Sequence, residues 1–187
     1  VRDQYIEKIA GDIRLARKLK LVVGCGNAVA GIIAPRFFEA MGFEVVQLFC
    51  EVDGNFPNHH PDPTVVSNLD QLARAVISEE ADIGVAFDGD GDRLGIITNE
   101  GQFVDADQML MLLARDIIPK YPGKPIIFDV KCSRRLAQTI QDCGGIPVMN
   151  RSGHSFMKQR MQETSAPLGG EFAAHIFIKD RWFGFDD

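Results

Sequence analysis

The sequence predicts an α/β protein made of two tandem, structurally similar three-layer α/β/α domains with mixed, mostly parallel sheets. Apolar segments of strand length alternate with helical segments at the spacing of βαβ units. The same succession of segments occurs twice along the chain. The 187 residues are 45% hydrophobic and 25% charged, which is enough for one or two domains with buried cores. We place the first domain at residues 1–104 and the second at residues 105–187.

The first half consists of alternating strands and helices followed by a hairpin. The predicted strands cover residues 19–23, 43–49 and 82–87, and the predicted helices cover residues 27–41 and 68–78. Gly42 ends the first helix, and a loop rich in proline, asparagine and histidine precedes the second. Residues 94–104 form a predicted hairpin with Asn99-Glu100-Gly101 as its turn.

The second half repeats this plan. The predicted helices cover residues 107–121, 134–142 and 154–163, and the predicted strands cover residues 125–130 and 147–149. The motif Ala81-x-Ile83-Gly84-Val85-x-Phe87 recurs as Ala166-x-Leu168-Gly169-Gly170-x-Phe172. In this register Ala173 stands where Asp88 stands in the first half. Because open α/β sheets bind ligands beyond the carboxyl ends of their strands, we expect the loop after the third strand to carry chemistry in both halves.

Three aspartates follow the third strand of the first half at alternate positions, in Asp88-Gly89-Asp90-Gly91-Asp92. Carboxylates this close repel one another unless a cation lies among them. The intervening glycines allow the backbone to curl so that all three side chains turn inward. Carboxylate oxygens are hard ligands, which suit Mg²⁺, Mn²⁺ or Ca²⁺ better than zinc. The pattern therefore predicts a metal site, since an ordinary polar turn does not require three aspartates at alternate positions.

Two other motifs compete for these aspartates. An EF-hand loop needs glycine at its sixth position and glutamate at its twelfth, where this chain has Arg93 and Asn99, and its flanking segments are helices rather than strands. We therefore reject the EF-hand. A haloacid-dehalogenase phosphatase uses an Asp-x-Asp motif after a buried strand, and Asp88 and Asp90 fit that spacing. This second alternative stays open, with Asp88 as the nucleophile.

Five segments along the chain form an ordered set of motifs. They are the loop at residues 50–63, Phe87-Asp88-Gly89-Asp90-Gly91-Asp92-Arg93, Asp129-Val130-Lys131-Cys132, Ser152-Gly153-His154-Ser155 and the closing run at residues 179–187. In this order they resemble the α-D-phosphohexomutases, and most closely the bacterial phosphomannomutase/phosphoglucomutase branch. The resemblance covers essentially the whole chain.

The resemblance implies both a cofactor and a set of site residues. It implies one Mg²⁺ bound by Asp88, Asp90 and Asp92, and a hexose phosphate or bisphosphosugar as the substrate. The implied catalytic residues are Arg93, Lys131, His154 and His175, and the implied substrate-binding residues are Lys131, His154, Glu171, Ala173 and His175. The implied reaction interconverts hexose 1-phosphate and hexose 6-phosphate, as an intramolecular phosphotransferase of the isomerase class.

This chain departs from the family pattern in the sugar-recognition loop. The family loop reads Gly-Glu-x-Ser-Gly-His, and this chain reads Gly170-Glu171-Phe172-Ala173-Ala174-His175. Ala173 has no hydroxyl to exchange hydrogen bonds with a sugar, and Ala174 restricts the backbone where glycine is usual. Two further departures are Gly24, where aspartate is usual, and Ala28, where glycine is usual.

Composition excludes several other classes of function. A net charge of −6 argues against a nucleic-acid partner. No apolar run reaches the length of a membrane span, and no signal peptide is evident. The four cysteines lie far apart without a Cys-x-x-Cys spacing, so we interpret them as reduced thiols of a cytoplasmic protein.

The family's phosphoserine motif, Ser-His-Asn-Pro, does not occur in this sequence. Together with the start at Val1 and the aromatic run before Asp187, this absence predicts a fragment. The fragment would comprise the second domain and most of the third, without the N- and C-terminal domains of the same enzyme. We expect such a fragment to be inactive alone, and a non-catalytic module that binds metal and sugar phosphate is the remaining alternative.

Overall fold

The computed structural model describes residues 2–11 and 13–179. The chain divides into two compact units, residues 1–104 and residues 105–187. Both units are α/β, with helices and strands interleaved and with mixed sheets, which confirms the predicted fold class. Within the described residues no helix is long and apolar enough to cross a membrane. The closing family motif at residues 179–187 falls, beyond Lys179, outside the described residues.

The first unit is a five-stranded sheet with helices on both faces. Its elements are α1 (Arg2–Ala10), β1 (Lys20–Gly24), α2 (Ala34–Ala40), β2 (Glu44–Leu48), α3 (Asp70–Ser78), β3 (Ile83–Phe87), β4 (Leu94–Thr98) and β5 (Phe103–Val104). The strand order is β2-β1-β3-β4-β5, with β1 parallel to β2 and β3 and with β4 antiparallel to both β3 and β5. Alternate residues of each strand point to opposite faces. Leu21 and Val23 therefore pack on the α2 side, while Val22 packs with Leu72 and Val76 of α3.

The second unit repeats the arrangement with four strands. Its elements are α4 (Ala106–Ile117), β6 (Pro125–Asp129), α5 (Arg134–Asp142), β7 (Ile146–Asn150), α6 (His154–Thr164), β8 (Leu168–Gly170) and β9 (Ile176–Ile178). The strand order β7-β6-β8-β9, with β9 antiparallel to β8, matches the order β2-β1-β3-β4. Helices α4 and α5 cover one face around Leu110 and Leu136, and α6 covers the other with Met157 and Met161.

The helix predicted at residues 27–41 is shorter in the structure. A 3₁₀ turn occupies Val29–Ile32, and α2 begins only at Ala34, with Pro35 in its first turn. Gly31 packs so closely that a Cβ there would lie 2.0 Å from the Cys50 carbonyl oxygen. Helical periodicity does not reveal such a backbone contact, so the prediction placed the helix start too early. Helix α1 was not predicted.

Candidate functional site

The loop after β3 wraps around Asp88. Gly91 N–H donates to Asp88 Oδ1 at 3.0 Å, and Arg93 N–H donates to the same oxygen at 3.1 Å. Gly91 has a φ of +83°, a left-handed conformation that glycine adopts without a steric penalty. The loop thus turns back on the end of the strand, and Asp88 is left only 6% exposed.

The predicted metal ligands lie together in this loop. Asp88, Asp90 and Asp92 each offer one carboxylate oxygen, and these oxygens lie within 4.8 Å of one another. Asp90 is exposed and Asp92 is half-buried, so the cluster opens towards solvent. A set of three carboxylate oxygens is the donor chemistry that Mg²⁺ accepts while it keeps some of its waters. The residues present therefore fit the magnesium ion that the family resemblance implies.

Arg93 lies directly beside the carboxylates. Its Nε is 3.4 Å from Asp88 Oδ2 and 3.9 Å from Asp92 Oδ1, and its guanidinium also lies 3.8 Å from Asp62 Oδ1. Burial raises the pKa of Asp88 above its ordinary value, and the charges of Asp92 and Asp90 raise it further, although the hydrogen bond from Arg93 N–H opposes this. The guanidinium of Arg93 offsets part of the repulsion within the cluster, because its positive charge lies within 4 Å of both Asp88 and Asp92.

In the second unit, two histidines meet at the carboxyl end of the sheet. His154 is the first residue of α6, and His175 immediately precedes β9. Their ring centroids are 4.1 Å apart and the rings are nearly perpendicular, at 86°. His154 also lies edge-on to Phe177, with centroids 5.2 Å apart. Two residues that are 21 positions apart in the sequence are thereby brought into direct contact.

Glu171 joins the two loops that carry these histidines. Its carboxylate accepts a hydrogen bond from Gly153 N–H, and its other oxygen lies 3.1 Å from His175 Nδ1. Glu171 and His175 are both buried, at 5% and 8% exposed. Both carboxylate oxygens of Glu171 thus have partners within the protein, which fixes the position of the loop.

The two alanines of the sugar-recognition loop differ in what they change. Ala174 has a φ of +71°, a left-handed conformation that costs an alanine about 1–2 kcal/mol. Ala173 is half-buried in the same turn.

The two departures from the family pattern in the first unit impose no such strain. Ala28, where glycine is usual, has a φ of −94°. At Gly24 a Cβ would lie 3.6 Å from the Val85 carbonyl oxygen and 3.7 Å from Leu72, in ordinary contact.

Lys131 lies near the same edge of the second sheet, two residues after β6 ends, and its side chain is exposed. The structure thus brings together Asp88, Asp90, Asp92 and Arg93 in the first unit. It brings together His154, Glu171 and His175 in the second, with Ala173 on the same loop.

The sequence did not predict the role of Asp129, which links the loops that carry His154, Glu171 and His175. Asp129 is fully buried and accepts hydrogen bonds from Ser152 Oγ at 2.6 Å and from Phe172 N–H at 3.1 Å. Both Asp129 and Ser152 lie inside motifs that matched the family, but no role was assigned to either. The available signal was a carboxylate ending the apolar run Ile126-Ile127-Phe128, since buried charges are rare unless they have partners.

Comparison with known families gives two adjacent matches. The family described as phosphoglucomutase/phosphomannomutase, alpha/beta/alpha domain II, matches residues 3–101. The corresponding alpha/beta/alpha domain III matches residues 105–187.

Individual relatives support the same assignment. A phosphomannomutase/phosphoglucomutase of Pseudomonas putida is 55% identical over all 187 residues, which span 40% of that protein. The crystal structure of a phosphoglucomutase/phosphomannomutase family protein from Burkholderia thailandensis superposes with a TM-score of 0.97 at 53% identity, covering 100% of this chain and 41% of that one. The structure of an Aspergillus fumigatus N-acetylphosphoglucosamine mutase in complex with GlcNAc-6P and magnesium shares the fold, with a TM-score of 0.73 at 18% identity over 95% of this chain and 40% of that one.

Proposed function

This chain belongs to the phosphoglucomutase/phosphomannomutase family, and we propose that it contributes a magnesium loop and sugar-binding loops to an enzyme that interconverts hexose 1-phosphates and hexose 6-phosphates. The chain spans about 40% of the length of the Pseudomonas putida relative, so the activity concerns the whole enzyme. By the resemblance, that enzyme transfers a phosphoryl group from a phosphoserine to the sugar and takes one back from a bisphosphosugar intermediate.

The first unit supplies the charge that phosphoryl transfer requires. Asp88, Asp90 and Asp92 would hold one Mg²⁺, as their clustered oxygens allow. Such an ion, when bound, supplies positive charge that stabilises the oxygens of a transferring phosphoryl group. Arg93, which already lies against Asp88, offers guanidinium N–H donors to the same phosphate. In the absence of phosphate, the contacts of Arg93 with Asp88 and Asp92 stabilise the loop. Arg93 would thus both stabilise the loop and bind the phosphate.

The second unit binds the sugar phosphate. Lys131 presents an exposed ammonium that can bind a phosphate oxygen. His154 and His175 each have ring nitrogens able to accept or donate a proton at a sugar hydroxyl. Glu171 lies 3.1 Å from His175 Nδ1 and thereby orients that ring. Ala173 would contact the sugar only through its methyl group or the loop backbone.

The observation that carries the proposal is the clustering of three carboxylate oxygens within 4.8 Å at the end of β3. Mg²⁺ titration of the chain by calorimetry tests it, with Mn²⁺ and its paramagnetic signal as a second readout. We expect Asp90→Asn to weaken binding and to preserve the fold, because Asp90 is exposed. The matched control is Glu100→Gln, which removes one exposed carboxylate charge from the hairpin turn of the same unit. Equal affinity in Asp90→Asn and in the unchanged chain would overturn the metal assignment.

Activity assays test the rest of the proposal. We expect the 187-residue chain alone not to convert mannose 1-phosphate to mannose 6-phosphate, even with Mg²⁺ and a bisphosphosugar, because its sequence lacks the family's phosphoserine motif. The same chain should nevertheless bind hexose phosphate through its second unit. Turnover by the purified chain, together with an aspartyl phosphate trapped at Asp88, would instead favour the haloacid-dehalogenase alternative.

A further inference from the structure

A single buried carboxylate connects three segments of the second unit. Asp129 ends β6 and is 0% exposed. Its Oδ2 accepts a hydrogen bond from Ser152 Oγ, at 2.6 Å, in the loop between β7 and α6. Its Oδ1 accepts from Phe172 N–H, at 3.1 Å, in the loop between β8 and β9, and from Cys132 Sγ at 3.2 Å in its own loop. One side chain thus contacts every loop that carries a predicted site residue of this unit.

Packing alone does not account for a carboxylate at this position. A buried charge has a large desolvation cost, which hydrogen bonds to both oxygens only partly offset, and an apolar side chain would fill the same space without that cost. What an apolar side chain cannot do is accept directed hydrogen bonds from two other loops. The three donors around Asp129 therefore indicate that the carboxylate fixes loop geometry.

Glu171 extends the connection to the two histidines. Asp129 binds Ser152, and Glu171 binds the next residue, Gly153, whose N–H donates to it. His154 follows immediately as the first residue of α6. On the other loop, Asp129 binds the backbone of Phe172 and Glu171 lies 3.1 Å from His175 Nδ1. Each loop is therefore held by both carboxylates, and each carries one of the two imidazoles that meet at 4.1 Å.

The first unit lacks this device at the corresponding position. Ile126 pairs with Leu168 in the second sheet as Leu21 pairs with Ile83 in the first, so Asp129 corresponds to Gly24. The Asp88–Arg93 loop of the first unit is instead stabilised by hydrogen bonds between its own residues, from Gly91 N–H and Arg93 N–H to Asp88. In this chain a buried carboxylate at this register therefore occurs in the second unit and not in the first, where Gly24 replaces the aspartate that is usual in the family.

We propose that Asp129 is a positioning residue of the sugar-phosphate site, which sets the relative placement of His154 and His175 through Ser152 and the loop at Glu171–His175. The assignment rests on the proposed function only for the use of these histidines. The arrangement itself is a property of the chain without ligand.

The test uses the 187-residue chain without ligand and records the imidazole nitrogen resonances of its four histidines at one fixed pH. His59 and His60 lie in the first unit and serve as internal references. We expect Ser152→Ala, which removes one hydroxyl donor to Asp129, to shift the resonances of His154 and His175 and to leave those of His59 and His60 in place. Ser152→Thr keeps the hydroxyl and should restore the original positions. Asp129→Asn, which replaces an acceptor oxygen by an amide donor, should shift both resonances further.

The matched control is Ser133→Ala, which removes an exposed hydroxyl near the same end of the sheet, at the N-terminus of α5, where the side chain makes no capping bond. It should leave all four histidines unshifted. Unchanged His154 and His175 resonances in a folded Ser152→Ala or Asp129→Asn chain would overturn the proposal, as would equal shifts in Ser133→Ala. If Asp129→Asn fails to fold, the comparison of Ser152→Ala with Ser152→Thr still decides.

Titration of the unchanged chain with glucose 1-phosphate separates this proposal from the proposed function. A chain that shows no response to this ligand contradicts sugar-phosphate binding by the second unit. The histidine comparison is made without ligand, so its result is independent of that outcome.

Discussion

Replacing Ala174 by glycine should cost the second unit almost no stability, although Ala174 is buried. Ala174 is 6% exposed and has a φ of +71°. Its matched control is Ala166, which is 0% exposed in the same unit and is not among the described residues with positive φ. Both substitutions delete one buried methyl group and add the same conformational freedom to the unfolded chain. Only the substitution at Ala174 releases left-handed strain.

The magnitudes follow from three contributions to the free energy of unfolding. Loss of a buried methyl group destabilises by about 0.8 kcal/mol. The added freedom of glycine in the unfolded chain destabilises by about 0.4–1 kcal/mol. Release of an alanine from the left-handed region stabilises by about 1–2 kcal/mol. We therefore expect Ala166→Gly to destabilise by about 1–2 kcal/mol, and Ala174→Gly to lie within about 1 kcal/mol of the unchanged chain.

Native-state hydrogen exchange measures this difference where it arises. β9 is paired with β8, with Phe177 opposite Gly169, so the protected amides of β9 report the opening of the second unit by itself. The opening free energy of these amides should fall clearly in Ala166→Gly and little in Ala174→Gly. Amides of β1 in the first unit serve as an unaffected reference.

Equal losses of opening free energy in the two variants would refute the reasoning, because the methyl and entropy contributions are matched between them. Such a result would mean that the left-handed conformation of Ala174 carries no strain. The usual glycine of the family loop would then need an explanation other than backbone conformation.

Two further predictions concern ionisable side chains of the described residues. The pKa of Asp82 is lowered by its hydrogen bond from Arg17 at 2.8 Å. Ionised Asp82 should therefore stabilise the chain at neutral pH, and this stabilisation should be lost as the pH falls below about 4, the usual pKa of aspartate, and through the lowered folded pKa. The melting temperature of Asp82→Asn should match that of the unchanged chain only in acid. An equal difference at all pH values would contradict this. A thiol reagent at neutral pH should label half-buried Cys50 before buried Cys25 and Cys132. The pKa of Cys25 is raised by its contact with Cys50 and by burial, and the pKa of Cys132 is raised by burial and by Asp129. Peptide mapping that finds Cys25 or Cys132 labelled first would contradict the second prediction.

The fold could be predicted from the sequence because its signals are local and repeated. Apolar runs such as Ile83–Phe87 and Pro125–Asp129 are short, rich in β-branched and aromatic residues, and bounded by polar or glycine residues. The repeated motif also placed the three-residue strand β8, which is too short for periodicity to reveal. The start of α2 was missed because it depends on the contact of Gly31 with the Cys50 backbone, between residues far apart in sequence.

In the candidate site, too, contacts within one short segment could be predicted from the sequence, and contacts between distant segments could not. The Asp88–Arg93 loop is contiguous, so its spacing alone predicted a cluster, which the structure shows. The contact of His154 with His175 depends on how two loops meet, and position in the sequence alone left the role of both histidines undecided. Asp129 was missed for a related reason, since its partners Ser152 and Phe172 lie 23 and 43 residues away.

The duplication places different side chains at equivalent positions of the two units. In both units the loop after the third strand meets the end of the central strand, and the register makes Asp88 equivalent to Ala173 and Gly24 equivalent to Asp129. In the first unit of this chain the loop carries the carboxylates and the central strand ends in Gly24, a position where aspartate is usual in the family. Where the loop carries none at that position, the central strand can hold the carboxylate, which then orders neighbouring loops through hydrogen bonds. At these equivalent positions this chain therefore has a carboxylate on the loop in the first unit, within a cluster of three, and on the central strand in the second unit, where it links neighbouring loops.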